Sequence, residues 1–182
     1  MKTLYIERST GESRCGDWVA KLDLEGVERI VVGTGPGSFA GIRSALAFAQ
    51  GYALGRPCEV LGLPSACAVA AQVYADGADF PLAVVGDARR GKFWIALFEG
   101  FKLVCPVFQT EKDALAHRIP LAAKVATSDA ARIGDVLAEA FGTRYIGDIQ
   151  PTSDGLKAFA EKNPSVLVRE PLPIYLNPAV RD

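Results

Sequence analysis

A glycine-rich turn between an apolar run and a run of small residues constrains the fold more than any other feature of this chain. The turn is Gly33-Thr-Gly-Pro-Gly-Ser-Phe-Ala-Gly41, after β-branched residues 30–32 and before the small residues of 41–54. It predicts a tight connection from a buried strand to a helix, with backbone N–H groups directed outward near the helix N-terminus. Such a turn serves either close backbone packing or an anion. The candidate loop residues are Gly33, Gly35, Gly37, Ser38, Gly41 and Arg43.

Strands and helices are predicted to alternate on both sides of this turn, in an α/β layer with parallel strands. Asp76-Gly-Ala-Asp-Phe-Pro81 interrupts the alternation and predicts a boundary between an N-terminal subdomain, 1–78, and a C-terminal subdomain, 79–182. In the first subdomain we expect strands at 2–6, 28–33 and 58–63 and helices at 17–25, 41–54 and 64–75. In the second we expect strands at 82–87, 92–99 and 102–108, helices at 111–117, 128–140 and 152–162, and a proline-rich tail at 170–178 that cannot be helical.

The predicted helix at 41–54 is apolar around nearly its whole circumference. A helix of that kind is buried on more than one side, and the sheet of a small subdomain covers only one of them. The second cover is either the short segment that begins at Trp18 or another polypeptide. With that segment included, the helix predicts a chain–chain interface formed by Trp18, Leu22, Ile42, Ala45, Leu46, Ala49 and Tyr52.

The charge balance argues against nucleic-acid binding by the chain's own surface. A formal net charge of −1 lacks the basic excess typical of phosphate binding, so any tRNA contact is expected to be indirect, through a partner. The four cysteines are scattered without a CxxC pair, and the first residues do not resemble a secretory leader. No apolar run reaches the roughly 18 residues of a membrane span. We therefore expect a cytoplasmic protein that does not enter a membrane.

No set of residues suited to catalysis or metal binding stands out. His117 is the single histidine, whereas a metal site needs several converging ligands. Ser38 has no histidine or acid placed by sequence to activate it, so helix capping is its simpler role. We expect no catalytic residue, no metal and no resident cofactor. The turn with Asp87, Arg89 and Arg90 is either a solvated ion pair or a contact for a partner or for tRNA phosphate.

Four motifs in chain order resemble the TsaB family, also called YeaZ. Residues 31–51 resemble that family's G-x-G-P-G-S-F-T-G-[LIV]-R turn and the small-residue helix that follows it. Val60-Leu-Gly-Leu-Pro-Ser65 is similar to its V-x-G-V-S-S step, and Val85-Gly-Asp-Ala-Arg-Arg-Gly-Lys-Phe-Trp94 to its I-D-A-R-x-G-E-V-Y hairpin. Pro173-Ile-Tyr-Leu-Asn177 is similar to its closing P-x-Y-L-R. The resemblance covers most of the chain, from about residue 28.

The resemblance implies an α/β fold of the actin, sugar-kinase and heat-shock-ATPase type (ASKHA, RNase H-like), with two small subdomains. It implies a non-catalytic scaffold subunit of the complex that makes threonylcarbamoyladenosine at position 37 of tRNA. The implied partners are a TsaD-like catalytic paralogue, a TsaE-like ATPase and a second copy of the chain in a homodimer. A nucleotide at a joint site between subunits is left open.

The N-terminus departs from the family. Where the family has I-L-x-I-D-T-[SA]-T, this chain has Leu4-Tyr-Ile-Glu-Arg-Ser-Thr10, and roughly forty residues of hairpin and helix are missing before Gly33. The first subdomain is expected to lack part of its usual hairpin and helix, and in the family that helix normally belongs to the dimer surface. Two alternatives stay open: a nucleotide-binding enzyme of the ASKHA type, and a homo-oligomeric protein that has lost its ancestral partner. Glu59 weakens the first, because this acid begins a predicted strand, whereas a dinucleotide site needs an acid at a strand's end.

Overall fold

The structure, a computed structural model, describes residues 1–10 and 18–176. The strands are β1 (Lys2–Ile6), β2 (Val27–Gly33), β3 (Glu59–Leu63), β4 (Leu82–Arg89), β5 (Lys92–Glu99), β6 (Lys102–Leu103), β7 (Phe108–Glu111), β8 (Lys124–Thr127), β9 (Tyr145–Asp148) and β10 (Val168–Arg169). The α-helices are α1 (Phe39–Ala53), α2 (Ala66–Tyr74), α3 (Leu115–Arg118), α4 (Ala130–Phe141) and α5 (Ser153–Lys162).

The chain divides into two compact units. Unit 1 comprises Met1–Ala68 and Pro151–Ile174, and unit 2 comprises Val69–Gln150 and Tyr175–Asp182. The sequence predicted contiguous subdomains, 1–78 and 79–182, whereas unit 1 is discontinuous. The reason is that α5 packs against β1 and β10 pairs with β3, which returns the last part of the chain to the first sheet.

The sheet of unit 1 has the order β1-β2-β3-β10. Its first three strands are parallel, and β10 joins antiparallel to β3. Apolar β-branched residues in β2 fit a strand covered on both faces, and Ile30, Val31 and Val32 are all buried. One face of this sheet packs against α1, in a core that includes Ile6 and Ile30.

The sheet of unit 2 follows the order β6-β5-β4-β8-β9, with β7 also paired to β5. Strands β4 and β5 form an antiparallel hairpin, while β8 and β9 run parallel to β4. Helix α4 covers this sheet because Ile133, Leu137 and Phe141 recur at helical spacing and join one apolar core with it. The mixed α/β architecture agrees with the predicted fold class.

Most predicted elements are present, with small shifts at their ends. The predictions at 2–6 and 92–99 are confirmed with the same bounds. The prediction of a helix at 17–25 is wrong for residues 18–25. These residues contain only the 3-10 turn Val19–Lys21, because the backbone becomes extended at Leu22. Residue 17 lies outside the described residues. The strand predicted at 102–108 is two short strands, and β8 and β9 were not predicted. The described part of the tail, to residue 176, is not helical.

Candidate functional site

The glycine loop connects β2 to α1 and sets where the helix begins. Ser38 is the N-cap of α1, and its Oγ accepts a hydrogen bond from the Gly41 backbone N–H at 3.3 Å. Capping of this kind satisfies one of the free N–H groups of the first helical turn. Gly35 has φ +89°, a left-handed value that favours glycine, and the Gly35–Pro36 peptide bond is cis. The capping role expected for Ser38 is therefore observed.

Residues 7–9 pass directly over three glycines of the loop, and at Gly37 and Gly41 the contact is with backbone. A Cβ atom on Gly33 would overlap the Glu7 carboxylate, and a Cβ on Gly37 would overlap the Ser9 backbone carbonyl. At the start of α1, a Cβ on Gly41 would overlap the carbonyl of Arg8. The segment that follows β1 thus lies against the loop at backbone distance, which only glycine permits.

Three backbone donors of the loop are engaged within unit 1. Thr34 N–H donates to the Leu63 carbonyl at 2.9 Å, and Gly35 N–H donates to Ser65 Oγ at 3.0 Å. Ser38 N–H donates to the Ser9 carbonyl. An anion at a glycine loop is held by such N–H groups when they are free. Of the two roles open to this turn, the geometry favours close packing.

Glu7 follows β1 directly, and its carboxylate lies against the loop with Oε2 buried. Its Oε1 accepts a hydrogen bond from the Ser9 backbone N–H at 2.6 Å, whereas its Oε2 and the Ser9 hydroxyl are buried without a hydrogen-bond partner among the described residues. Burial raises the pKa of the Glu7 carboxyl, and the neighbouring Ser9 and Ser65 only partly oppose that shift. The sequence showed the exchange of the family's aspartate for glutamate but not that this carboxyl is buried.

Four of the seven predicted interface residues belong to the core of unit 1, which corrects that prediction. Ile42, Ala45, Leu46 and Ala49 are buried against β1 and β2, and Ala45 and Ala49 are both 0% exposed. They are unavailable to another chain because the sheet covers this side of α1.

The other three predicted interface residues, Trp18, Leu22 and Tyr52, are half-buried and pack against the same core. The Trp18 ring meets the Phe48 ring edge to face at a centroid distance of 5.3 Å. The Tyr52 hydroxyl donates to the Leu24 carbonyl at 2.9 Å. The short segment that begins at Trp18 therefore supplies the second cover of the helix, as the intrachain alternative expected.

A different side of α1 remains exposed, and we call it the outer face. Its ends carry two large apolar side chains, Phe39 at 57% exposure and Leu54, just beyond the helix, at 83%. The Arg43 guanidinium lies 4.9 Å from the centre of the Phe39 ring. Small and polar residues occupy the interval, so the outer face comprises Phe39, Ala40, Arg43, Ala47, Gln50, Gly51 and Leu54.

The predicted contact at Asp87, Arg89 and Arg90 is the turn of the β4–β5 hairpin, in unit 2. Arg89 and Arg90 both have left-handed backbones, with φ of +67° and +54°. Asp87 stabilises this conformation: its carboxylate accepts from the Arg89 backbone N–H at 2.7 Å and pairs with the Arg89 guanidinium at 3.2 Å. Its side chain is only 18% exposed, so Asp87 supports the turn. A partner contact stays a prediction for Arg89 and Arg90, the exposed residues.

The described residues contain no group of three or more histidine, cysteine or acidic side chains arranged to hold a metal ion. His117 lies exposed in α3. Across residues 1–10 and 18–176, no helix has the length and apolar character needed to cross a membrane.

Comparison with known proteins identifies a family and a fold. Residues 19–142, more than half of the chain, match the family described as "TsaD: tRNA N6-adenosine threonylcarbamoyltransferase". Uncharacterized proteins of Mycobacterium bovis and Mycobacterium tuberculosis are 36% identical over 97 residues, which is 52% of this chain and 43% of theirs. The matched part thus spans less than half the length of these relatives.

Two solved structures from Pseudomonas aeruginosa share the fold. One is an uncharacterized protein with similarity to peptidase YeaZ, with a TM-score of 0.68 at 21% identity. The other is YeaZ, with a TM-score of 0.65 at 20% identity. Each alignment covers 87% of this chain and 78% of the other.

Proposed function

The chain belongs to the TsaD family of tRNA N6-adenosine threonylcarbamoyltransferases, and from that premise we propose that it is a TsaB-type subunit without chemistry of its own. The motifs that resemble TsaB and the fold shared with YeaZ support this assignment. Family membership connects the chain to tRNA modification. In the proposed role it is a scaffold that docks to a TsaD-like catalytic paralogue, with a TsaE-like ATPase as a further component and tRNA contacted through the partner, in the cytoplasm.

The observation that carries this proposal is the glycine loop closed by its own chain. Glu7, Ser9 and Ser65 occupy its inner side, so the loop serves to fix α1 rather than to hold a phosphate. What the loop fixes is a helix with an uncovered outer face. A face of small residues lets another polypeptide approach closely, and exposed aromatic residues are frequent anchors at interfaces. We propose the outer face of α1 as the docking surface for the TsaD-like partner.

The enzyme alternative is less well supported. Glu59, the acid that a dinucleotide site would place on the ribose, lies at the start of β3 and is paired with Arg29 at 2.8 Å and Arg169 at 3.3 Å. A dinucleotide binds at the carboxyl ends of parallel strands, which is the opposite end. Calorimetry with ATP tests this alternative directly; tight binding by the chain alone would favour it over the scaffold role.

Ala47→Glu tests the docking surface. Ala47 is exposed at the middle of the outer face, so a charge there disturbs docking without entering the core. Ala138→Glu is the matched control, because Ala138 is an exposed alanine in α4, in the other unit. We expect Ala47→Glu to weaken binding of the purified TsaD-like paralogue by about tenfold or more, measured by calorimetry, because truncating or blocking a central contact costs about 1.4 kcal/mol or more.

Two results would contradict the proposal. If the unmodified chain does not bind the TsaD-like paralogue, the scaffold role fails. If it binds and Ala47→Glu binds equally well, the outer face is not the docking surface. Glutamate at Ala45 or Ala49 would not serve, because both side chains are in the core and the variant would unfold.

A further inference from the structure

Residues 7–9, which we call the clasp, hold the glycine loop at both of its ends. At the first end, the Glu7 carboxylate lies against Gly33. At the second end, the Ser9 carbonyl accepts a hydrogen bond from the backbone N–H of Ser38, the N-cap of α1. One short segment therefore fixes the whole connection from β2 to α1, and a movement of this segment would change the loop and the start of the helix together.

One carboxylate oxygen of the clasp is enclosed without a donor to compensate its charge. Glu7 Oε1 accepts from the Ser9 backbone N–H at 2.6 Å, whereas Oε2 is buried and has no hydrogen-bond partner among the described residues. Burying a charged oxygen without such a partner is costly. The hydroxyls of Ser9 and Ser65 oppose this cost only in part, so the pKa of the carboxyl is raised. The closed clasp therefore fits the neutral carboxyl better than the ionised one.

No cation among the described residues is a cause of the shift at Glu7. On the same segment, the Arg8 guanidinium lies 5.0 Å from the centre of the Trp18 ring. At the start of α2 lies the Cys67 thiol, which stays neutral because burial and the nearby Glu7 carboxylate both raise its pKa. At the start of α5, the Ser153 hydroxyl accepts from the Glu7 backbone N–H at 3.2 Å. The neighbouring helices thus present neutral groups to the clasp.

Ionisation of Glu7 is therefore linked to opening of the clasp. Oε2 is enclosed, so water reaches it when the segment moves away from the loop. Because Ser9 belongs to the same segment, that movement also removes the acceptor of the Ser38 N–H. The closed form is most stable below pH 4.5, the usual pKa of the carboxyl. Above it, the ratio of open to closed molecules rises by up to about tenfold per pH unit and levels off above the pKa of the closed form.

We propose that the clasp is a proton-controlled switch, closed on the glycine loop while Glu7 is neutral and opened when Glu7 ionises, which frees the loop and the start of α1. The inference goes beyond the proposed function, because it concerns the isolated chain. Phe39 and Ala40 of the outer face directly follow Ser38, so the switch acts where that face begins. One consequence, a pH dependence of docking, rests on the proposed function, whereas the switch itself does not.

Hydrogen exchange of two loop amides in the isolated chain tests the switch. The Ser38 N–H reports on the clasp because its acceptor is the Ser9 carbonyl. The Thr34 N–H is the matched internal control, because its acceptor, the Leu63 carbonyl, lies outside the clasp. From pH 4.5 to about pH 8, after correction for the intrinsic effect of pH on exchange, protection of Ser38 should fall about tenfold or more, and protection of Thr34 should not.

Two variants connect the effect to the carboxyl of Glu7. Glu7→Gln cannot ionise, so its Ser38 amide should stay protected at every pH in this range. Glu25→Gln is the control, because Glu25 is exposed and lies outside the clasp, and it should behave as the unmodified chain does.

Three results would overturn the switch, whatever the result with the TsaD-like paralogue. They are Ser38 protection that does not depend on pH, an equal fall of that protection in Glu7→Gln, and an equal fall at Thr34, which would indicate a loss of stability beyond the clasp. If Glu7→Gln does not fold, carbon NMR of the unmodified chain decides. The Glu7 carboxyl carbon should titrate above pH 4.5, at the pH where the fall in Ser38 protection levels off, and a titration at 4.5 would overturn the switch.

Discussion

At the scale of single residues, Glu7 connects the glycine loop to the pH dependence of unit 1. Burial raises the pKa of its carboxyl above the usual 4.5, so folding favours the neutral form. The stability this provides is complete below pH 4.5 and is lost as the pH rises through the pKa of the folded state. At neutral pH the folded chain holds either a buried charge or a proton that the unfolded chain would release, and both are unfavourable.

Glu7→Gln should therefore stabilise the protein at pH 7 and remove this part of the pH dependence. The amide stays neutral at every pH, so the variant places no charge in this site, and the expected gain is about 1–3 kcal/mol, the order of the penalty for desolvating a polar group inside a protein. Urea unfolding at pH 4 and pH 7 measures it, with Glu25→Gln as control because Glu25 is exposed. A variant that is less stable than the unmodified chain at pH 7 would show that the charged carboxylate is required under the loop.

The loop glycines could be predicted from the sequence, and Glu7 could not. A strand followed by Gly-x-Gly-Pro-Gly and small residues defines a tight turn from local chemistry alone. The segment that lies over this turn is determined by the parallel pairing of β1 with β2. This pairing places residues 7–9 beside the loop, although about 25 residues separate the two in the sequence. Tertiary contacts of that separation leave no periodic signal, so the buried carboxyl became visible only in the structure.

At the scale of elements, α1 provides a matched pair of glycines. Gly41 and Gly51 both lie in this helix, but a Cβ on Gly41 would overlap the Arg8 carbonyl, whereas a Cβ on Gly51 would meet open space. Gly41→Ala is expected to destabilise by about 1–3 kcal/mol, as overpacking against backbone does. Gly51→Ala is expected to stabilise by about 0.5–1 kcal/mol, because alanine is the better helix former. Thermal unfolding of the two variants should show shifts of opposite sign; shifts of equal sign would contradict the close packing at Gly41.

The same helix shows what hydrophobic pattern predicts and what it leaves open. Its existence and its burial on more than one side were predictable, because almost no polar residue interrupts it, although it begins at Phe39 and not at the predicted residue 41. The identity of the covering residues was not, since a helix that is apolar all round has no face marked for solvent. Phe48 and Trp18 cover one flank within the chain, and the exposed outer face was found only from the structure. The missed strands β8 and β9 have four residues each, too few for a period to be established.

At the scale of the whole molecule, the return of α5 to unit 1 explains why the sequence predicted a contiguous division. Local composition indicates a subdomain boundary near residue 76, but the sequence of residues 151–174 does not indicate which of the two sheets they pack against. Leu156 and Phe159 supply two fully buried side chains, and the Gly155 backbone lies against the Ala68 carbonyl. Unit 1 therefore includes α5 as part of its structure, and it is built from residues more than 100 positions apart in the chain.

Two core truncations should separate the units. Phe159→Ala removes a fully buried ring from α5, and Leu137→Ala removes a fully buried side chain from α4. The free energy of unfolding is expected to fall by about 3–5 kcal/mol in Phe159→Ala and by about 2–5 kcal/mol in Leu137→Ala. Because Phe159 lies in unit 1, its loss should speed hydrogen exchange in β2 and leave β5 protected, and Leu137→Ala should do the reverse. Exchange that accelerates in β5 for Phe159→Ala, with β2 unchanged, would instead place residues 151–174 with the second sheet, as the contiguous division 79–182 requires.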